Sequence, residues 1–88
     1  MTFREAHTAR FLAIFQRSRE QIRQFPGCQH LELWQDHHQP HVYCTYSHWD
    51  TEEALNRYRA SELFAETWAQ TKILFADKPQ VFSVNKVE

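Results

Sequence analysis

The stretch from His41 to Phe75 constrains this chain most. It opens with a run rich in strand formers, Val42, Tyr43, Thr45 and Tyr46, and the run ends at Trp49. Asp50-Thr51-Glu52-Glu53 follows at once. Asp50 stands where a helix N-cap belongs, and Glu53 where a capping box carries its acid. Leu55 and Tyr58 give this short helix its inner face. Ser61 then breaks it and caps a second helix, with Glu62 placed against the positive end of the new helix dipole. Phe64, Trp68, Thr71 and Phe75 recur at helical spacing, flanked by Leu63, Thr67 and Leu74. Lys78-Pro79 ends the helical region. The expectation is an aromatic-rich helical layer directly after a strand.

The preceding residues read as a helix and a hairpin. Phe11, Phe15, Ile22 and Phe25 recur on one face of a helix over Glu5 to Phe25, widened by Leu12 and Ile14. Pro26 cannot continue that helix, and Gly27 can take the left-handed conformation that closes it. Gln29 to Gln35 alternates, with Leu31 and Leu33 against His30, Glu32 and Trp34. The polar turn Asp36-His37-His38-Gln39-Pro40 then joins it to the return strand, His41 to Trp49, as an antiparallel hairpin. Neither strand has a cleanly charged face, as in a sheet covered on both sides. Gln80 to Val87 alternates again and reads as the last strand. Residues 1–88 form a single α+β domain. Its order becomes a ferredoxin-like βαββαβ unit once one strand is added in front. That first strand is short or missing: Met1-Thr2-Phe3 is at most its end.

Size and charge narrow the function classes. A chain of 88 residues buries a modest share of its surface, so association would relieve its marginal stability. A net charge of -1 offers no basic excess for phosphates, which argues against nucleic acid. No apolar run reaches the roughly 18–20 residues of a membrane span. The opening residues have no apolar core of an export signal, which points to the cytoplasm and to Cys28 and Cys44 as reduced thiols.

Phe25-Pro26-Gly27-Cys28, the run Trp49-Asp50-x-Glu52-x-Ala54-Leu55 and Ser61-x-x-Phe64 resemble the antibiotic biosynthesis monooxygenase family over nearly the whole chain. The resemblance implies a ferredoxin-like subunit whose open sheet packs on a second copy as a dimeric α/β barrel. It also implies cofactor-independent oxygenation of a small aromatic or quinone-like substrate. Typical members carry Glu where this chain has Ser47, and many carry His where it has Tyr58. Haem-degrading relatives bind iron through a His at the position of Trp68, and their active-site Asn lies on the first strand, so haem is disfavoured.

Tyr58, Phe64, Trp68 and Trp49 are the candidate pocket wall, although aromatics at helical spacing are also how plain core reads. His48 is the candidate base, since an unperturbed imidazole titrates near neutrality. Tyr46 and Tyr58 can orient a carbonyl or phenol. His37, His38 and His41 sit in and beside a turn without Cys or a second carboxylate, so no metal site is assigned. The alternative to an enzyme is a non-catalytic dimeric module that binds a small apolar molecule.

Overall fold

In the computed structural model, which describes residues 1–87, a 3-10 turn at Glu5–His7 leads into α1 (Thr8–Arg23). The buried face of α1 is Phe11, Ile14, Ser18 and Ile22, so the apolar stripe runs through Ile14 and Ser18 rather than Phe15. The Ser18 hydroxyl tolerates burial because it donates to the Ile14 carbonyl at 2.9 Å. The helix closes two residues before Phe25, whose N–H donates to Ile22 in the final turn. Gly27 follows with φ +92°, and a Cβ on it would lie 2.5 Å from the Cβ of Ala54. Glycine is required there both for the left-handed backbone and for the close approach of the next helical layer.

The hairpin consists of β1 (Cys28–Gln35) and β2 (Tyr43–Trp49), paired antiparallel from Gln35 opposite Tyr43 to Cys28 opposite Trp49, with an irregularity between Cys28 and His30. β2 starts later than expected. Val42 instead donates its N–H to Gln39 and closes the turn. Asp36 organises that turn by accepting from the backbone N–H groups of His38 and Gln39, both at 3.0 Å. Those bonds hold its carboxyl below the usual carboxylate range.

Met1–Phe3 occupies the position of the first strand. Thr2 bridges Val42 and Phe3 bridges Phe75, both antiparallel. Phe3 N–H donates to His41, Tyr43 N–H to Met1, and Ala76 N–H to Thr2. These three residues therefore lie between β2 and the chain at Phe75.

Two caps and one helix end differ from expectation. Thr51, not Asp50, caps α2 (Glu52–Arg59): its hydroxyl accepts from Ala54 N–H at 3.0 Å, while Asp50 spends its N–H on the Gly27 carbonyl. Ser61 caps α3 (Glu62–Lys72), accepting from Phe64 N–H at 3.2 Å. α3 ends before Phe75, because Leu74 turns into the core and Phe75 joins the bridge to Phe3. Gln80–Val87 is the further correction. The chain bends at Ala76–Asp77, and Gln80–Val87 then pairs with no described segment, leaving Val81, Phe82, Val84 and Val87 exposed. An alternating pattern becomes a strand only where an edge is available to it.

The result is α+β, with helices on one face of an antiparallel sheet, as in a ferredoxin-like fold. The core comprises Phe3, Phe11, Ile14, Tyr43 and Leu74. The Phe3 and Phe11 rings stack at 4.1 Å. No helix among the described residues is long and apolar enough to cross a membrane.

Candidate functional site

Alternation along β2 decides which residues meet the helices. Tyr43 packs on Phe11 at 5.3 Å and Trp49 stacks on Tyr58 at 5.1 Å, so the odd-numbered residues between them, Thr45 and Ser47, face the same way. Ser47 confirms this by accepting from Trp49 Nε1 at 3.0 Å. Yet Thr45 and Ser47 are exposed although they face the helical layer, whereas Tyr43 is buried. The helices cover the start of β2 and leave its middle open, an uncovered strip of sheet termed the cleft below.

A row of half-buried rings stands on that side of the sheet. Trp49 lies against Tyr58, Tyr58 against Phe64 at 5.3 Å, Phe64 parallel to Trp68 at 6.0 Å, and Trp68 against Phe75 at 5.5 Å. Phe25, released from α1 by its early end, closes on Tyr58 at 5.4 Å and on Trp49 at 6.2 Å. Ser61 sets the row: its cap fixes where α3 begins and therefore where Phe64 and Trp68 point. Four of the candidates from sequence, Trp49, Tyr58, Phe64 and Trp68, are thus brought together. Thr45, Ser47 and Phe25 were missed as site residues. The signal that finds Thr45 and Ser47 is the period of two along His41–Trp49, which puts them on the face of Tyr43 and Trp49.

Burial acts on two titratable groups beside this row. Burial pushes the Tyr58 phenol up to about 12, helped by the negative charge of the nearby Cys28 sulfur once that thiol has ionised. Burial also raises Cys28, opposed by a hydrogen bond with the His30 backbone and by the Arg23 guanidinium. At neutral pH Tyr58 is therefore a hydrogen-bond donor embedded among rings.

His48 and Tyr46 are not brought to this row. Both belong to the even-numbered set of β2, which points to the helix-free face. Tyr46 stacks there on Trp34 at 5.4 Å, and Glu32 accepts from both His30 and Trp34, which lowers its carboxyl. His48 is exposed opposite His30, with the sheet between it and Tyr58. His37 and His38 lie together in the turn, rings 4.8 Å apart, and no group of three or more metal-ligating side chains gathers among the described residues. Cys28 is a buried free thiol and Cys44 an exposed one.

Comparison with known proteins places this geometry. The profile of the family described as antibiotic biosynthesis monooxygenase matches residues 1–70. A solved structure described as an antibiotic biosynthesis monooxygenase superposes with a TM-score of 0.91 at 20% identity, covering 99% of this chain and 92% of that one. A protein from Caulobacter crescentus CB15 gives 0.92 at 20% identity, over 100% of this chain and 84% of its own. One from Bordetella bronchiseptica gives 0.88 at 25% identity, over 100% and 91%. Among curated proteins no sequence matches significantly.

Proposed function

The chain belongs to the antibiotic biosynthesis monooxygenase family, and from that premise we propose that the cleft over Thr45 and Ser47 binds a small aromatic or quinone-like molecule for oxygenation by dioxygen without a cofactor. One observation carries the reading: two strand residues face the helical layer and yet remain exposed, beside an unbroken row of half-buried rings. A flat ligand gains apolar burial and offset stacking against such a row. The hydroxyls of Thr45 and Ser47 and the protonated Tyr58 phenol supply the few polar contacts that fix orientation.

Such a reaction needs an electron-rich anion of a phenolic or enolic substrate that passes an electron to dioxygen. Recombination gives a carbon-bound peroxide anion, which takes up the equivalent of the proton lost when the substrate anion formed. The resulting hydroperoxide loses water together with the hydrogen on its carbon and leaves a carbonyl, so one oxygen atom enters the product and the other leaves as water. The protein's share is orientation and exclusion of bulk water. Tyr58 donates to the substrate oxygen as its negative charge develops. His48, across the sheet, takes no direct part from this position. We further propose that two copies of the chain associate through the helix-free sheet face, where Trp34 and Tyr46 are exposed, and that the protein works in the cytoplasm with its thiols reduced.

A second reading, binding without chemistry, draws on the neutral character of the row: neither Tyr58 nor Cys28 is ionised at neutral pH. Tryptophan fluorescence and oxygen-electrode measurements with a panel of dihydroxy-aromatic compounds separate the two. Quenching together with dioxygen uptake that Ser47→Leu abolishes supports the enzyme. Quenching without uptake supports the binding module, and neither response removes both.

A further inference from the structure

We propose that Trp49 is a positioning residue: its indole N–H turns the Ser47 hydroxyl outward as a donor, so that Ser47 and Tyr58 together cradle a ligand oxygen that is already ionised. The inference rests on the cleft reading above. It narrows the ligand class to acidic phenols and enols, hydroxyquinones among them, that carry their charge before they bind.

The direction of one hydrogen bond comes first. Trp49 Nε1 donates to the Ser47 oxygen at 3.0 Å. An indole N–H can only donate, so Ser47 is the acceptor and its own O–H is left to point elsewhere. Among the described residues that O–H has no acceptor. A hydroxyl that accepts one bond donates a stronger one. Its place comes second. Ser47 is exposed on the helix side of β2, within the uncovered strip, so the donor faces the space a ligand would enter. The third observation ties the two hydroxyls together. The same indole stacks on Tyr58, with ring centroids 5.1 Å apart and planes 24° from parallel. Phe25 and Phe64 hold the Tyr58 ring from its other sides, at 5.4 and 5.3 Å. One side chain thus registers both donors, and burial keeps the Tyr58 proton in place up to about pH 12.

Two O–H donors suit an oxyanion better than a neutral hydroxyl. A hydrogen bond to an ionised acceptor is roughly twice as strong as one between neutral groups. A neutral phenol also brings an O–H that needs an acceptor of its own, and Ser47 has already given a lone pair to the indole. A ligand that arrives ionised requires no base from the protein, which agrees with His48 lying across the sheet. Around the two donors, α2 contributes Tyr58 itself and α3 contributes the rings of Phe64 and Trp68. β1 brings the Cys28 thiol opposite Trp49, and α1 brings the Arg23 guanidinium, which donates to the Cys28 carbonyl at 2.8 Å. Asp50 is exposed, next to Trp49 in the chain. Arg23 is therefore the one cation among these groups, and its charge is the competing source of any preference for an anion.

The test uses 4-nitrophenol. Its ionised form absorbs in the visible and is too electron-poor to reduce dioxygen, so binding is read without turnover. Calorimetry measures binding, with 4-nitroanisole as the analogue that cannot ionise. A pH titration of the absorbance at saturating protein then follows ionisation of the bound probe. In the parent chain the bound probe is expected to ionise at least about one pH unit below the free probe, a tenfold preference for the anion. Trp49→Phe keeps a ring against Tyr58 and removes the N–H, and Ser47→Ala removes the hydroxyl. Each is expected to lose at least about half of that shift, whereas Ser47→Thr, which restores a hydroxyl, retains it. Ser47→Ala sits at an exposed position and decides alone should Trp49→Phe fail to fold. A bound probe that ionises at or above the pH of the free one overturns the inference. So does a shift that survives both variants, which would belong to the Arg23 charge. Either result leaves the cleft reading standing. If neither probe binds the parent chain, the cleft reading falls and the inference with it.

Discussion

Two groups of aromatic rings, built from the same kinds of residue at the same spacings, have opposite fates in this molecule. Phe3, Phe11 and Tyr43 are buried, with ring centroids 4.1 to 6.1 Å apart. Trp49, Tyr58, Phe64 and Trp68 touch at 5.1 to 6.0 Å, yet each stays partly open. Ring chemistry does not separate them. What does is the strand beneath: at Tyr43 the helices close on β2, and at Thr45 and Ser47 they do not. A ring cluster becomes core where its floor is covered and a binding wall where the floor is left open.

The sharpest way to break this comparison is to truncate one ring in each group. Phe3→Ala is expected to cost about 3–5 kcal/mol, because it opens a cavity between α1 and the sheet in a closed environment. That is a large part of the stability of a small domain. Trp68→Ala is expected to cost less than Phe3→Ala, since part of the Trp68 surface stays in contact with water while Phe3 is fully buried. Urea denaturation of both variants decides. Equal losses would mean that the second group is core as well, and the binding reading would lose its basis.

Gly27→Ala probes the joint between the groups and comes next. The backbone there is left-handed, and the added methyl would meet the Ala54 methyl of α2 at 2.5 Å. The expected loss is about 2–3 kcal/mol. It should be accompanied by a change in tryptophan fluorescence, as α2 moves and takes Tyr58 away from Trp49. A stable variant with unchanged fluorescence would show that the approach of α2 is slack.

Tyr58 sharpens the comparison through pH. Its phenol is pushed up to about 12 in the folded protein from an ordinary value of 10.0. The folded state therefore holds this proton more tightly than the unfolded state does. The associated stability is fully present below about pH 10 and is lost as pH rises towards about 12. Urea midpoints should fall across that window, and Tyr58→Phe should flatten the fall. If the phenylalanine variant keeps the same slope, Tyr58 is better hydrated than its place among the rings implies.

The sequence announced much of this, and the reasons for the rest are physical. Ser61 as a cap and the contacts of Trp49, Tyr58, Phe64 and Trp68 were legible because helix periodicity and side-chain capping are local. Thr51 took the cap from Asp50 because Asp50 N–H is used by the Gly27 carbonyl, 23 positions away in the chain. Phe75 left its helix for Phe3, again a distant partner. Gln80–Val87 carries a strand pattern without a strand, since pattern states which faces alternate and not whether an edge is within reach. The cleft was illegible for a related reason. Exposure of Thr45 and Ser47 depends on how far α2 and α3 extend over the sheet.

The smallest expected effect concerns His48. In the chain it adjoins Trp49, and an imidazole beside a site tryptophan invites the role of proton acceptor. In the fold one residue of β2 is enough to reverse its direction, placing it on the helix-free face opposite His30. His48→Ala should therefore leave both ligand-induced tryptophan quenching and any dioxygen uptake within about twofold of the parent, with stability changed by less than about 0.5 kcal/mol. Ser47→Leu, one position away, should abolish quenching by filling the floor of the cleft. The pair reads the two faces of one strand independently of what the ligand is. Should His48→Ala instead lose uptake while ligand quenching persists, the proton acceptor would act from the far face. The site would then extend across the sheet, into the surface that a second copy is proposed to cover.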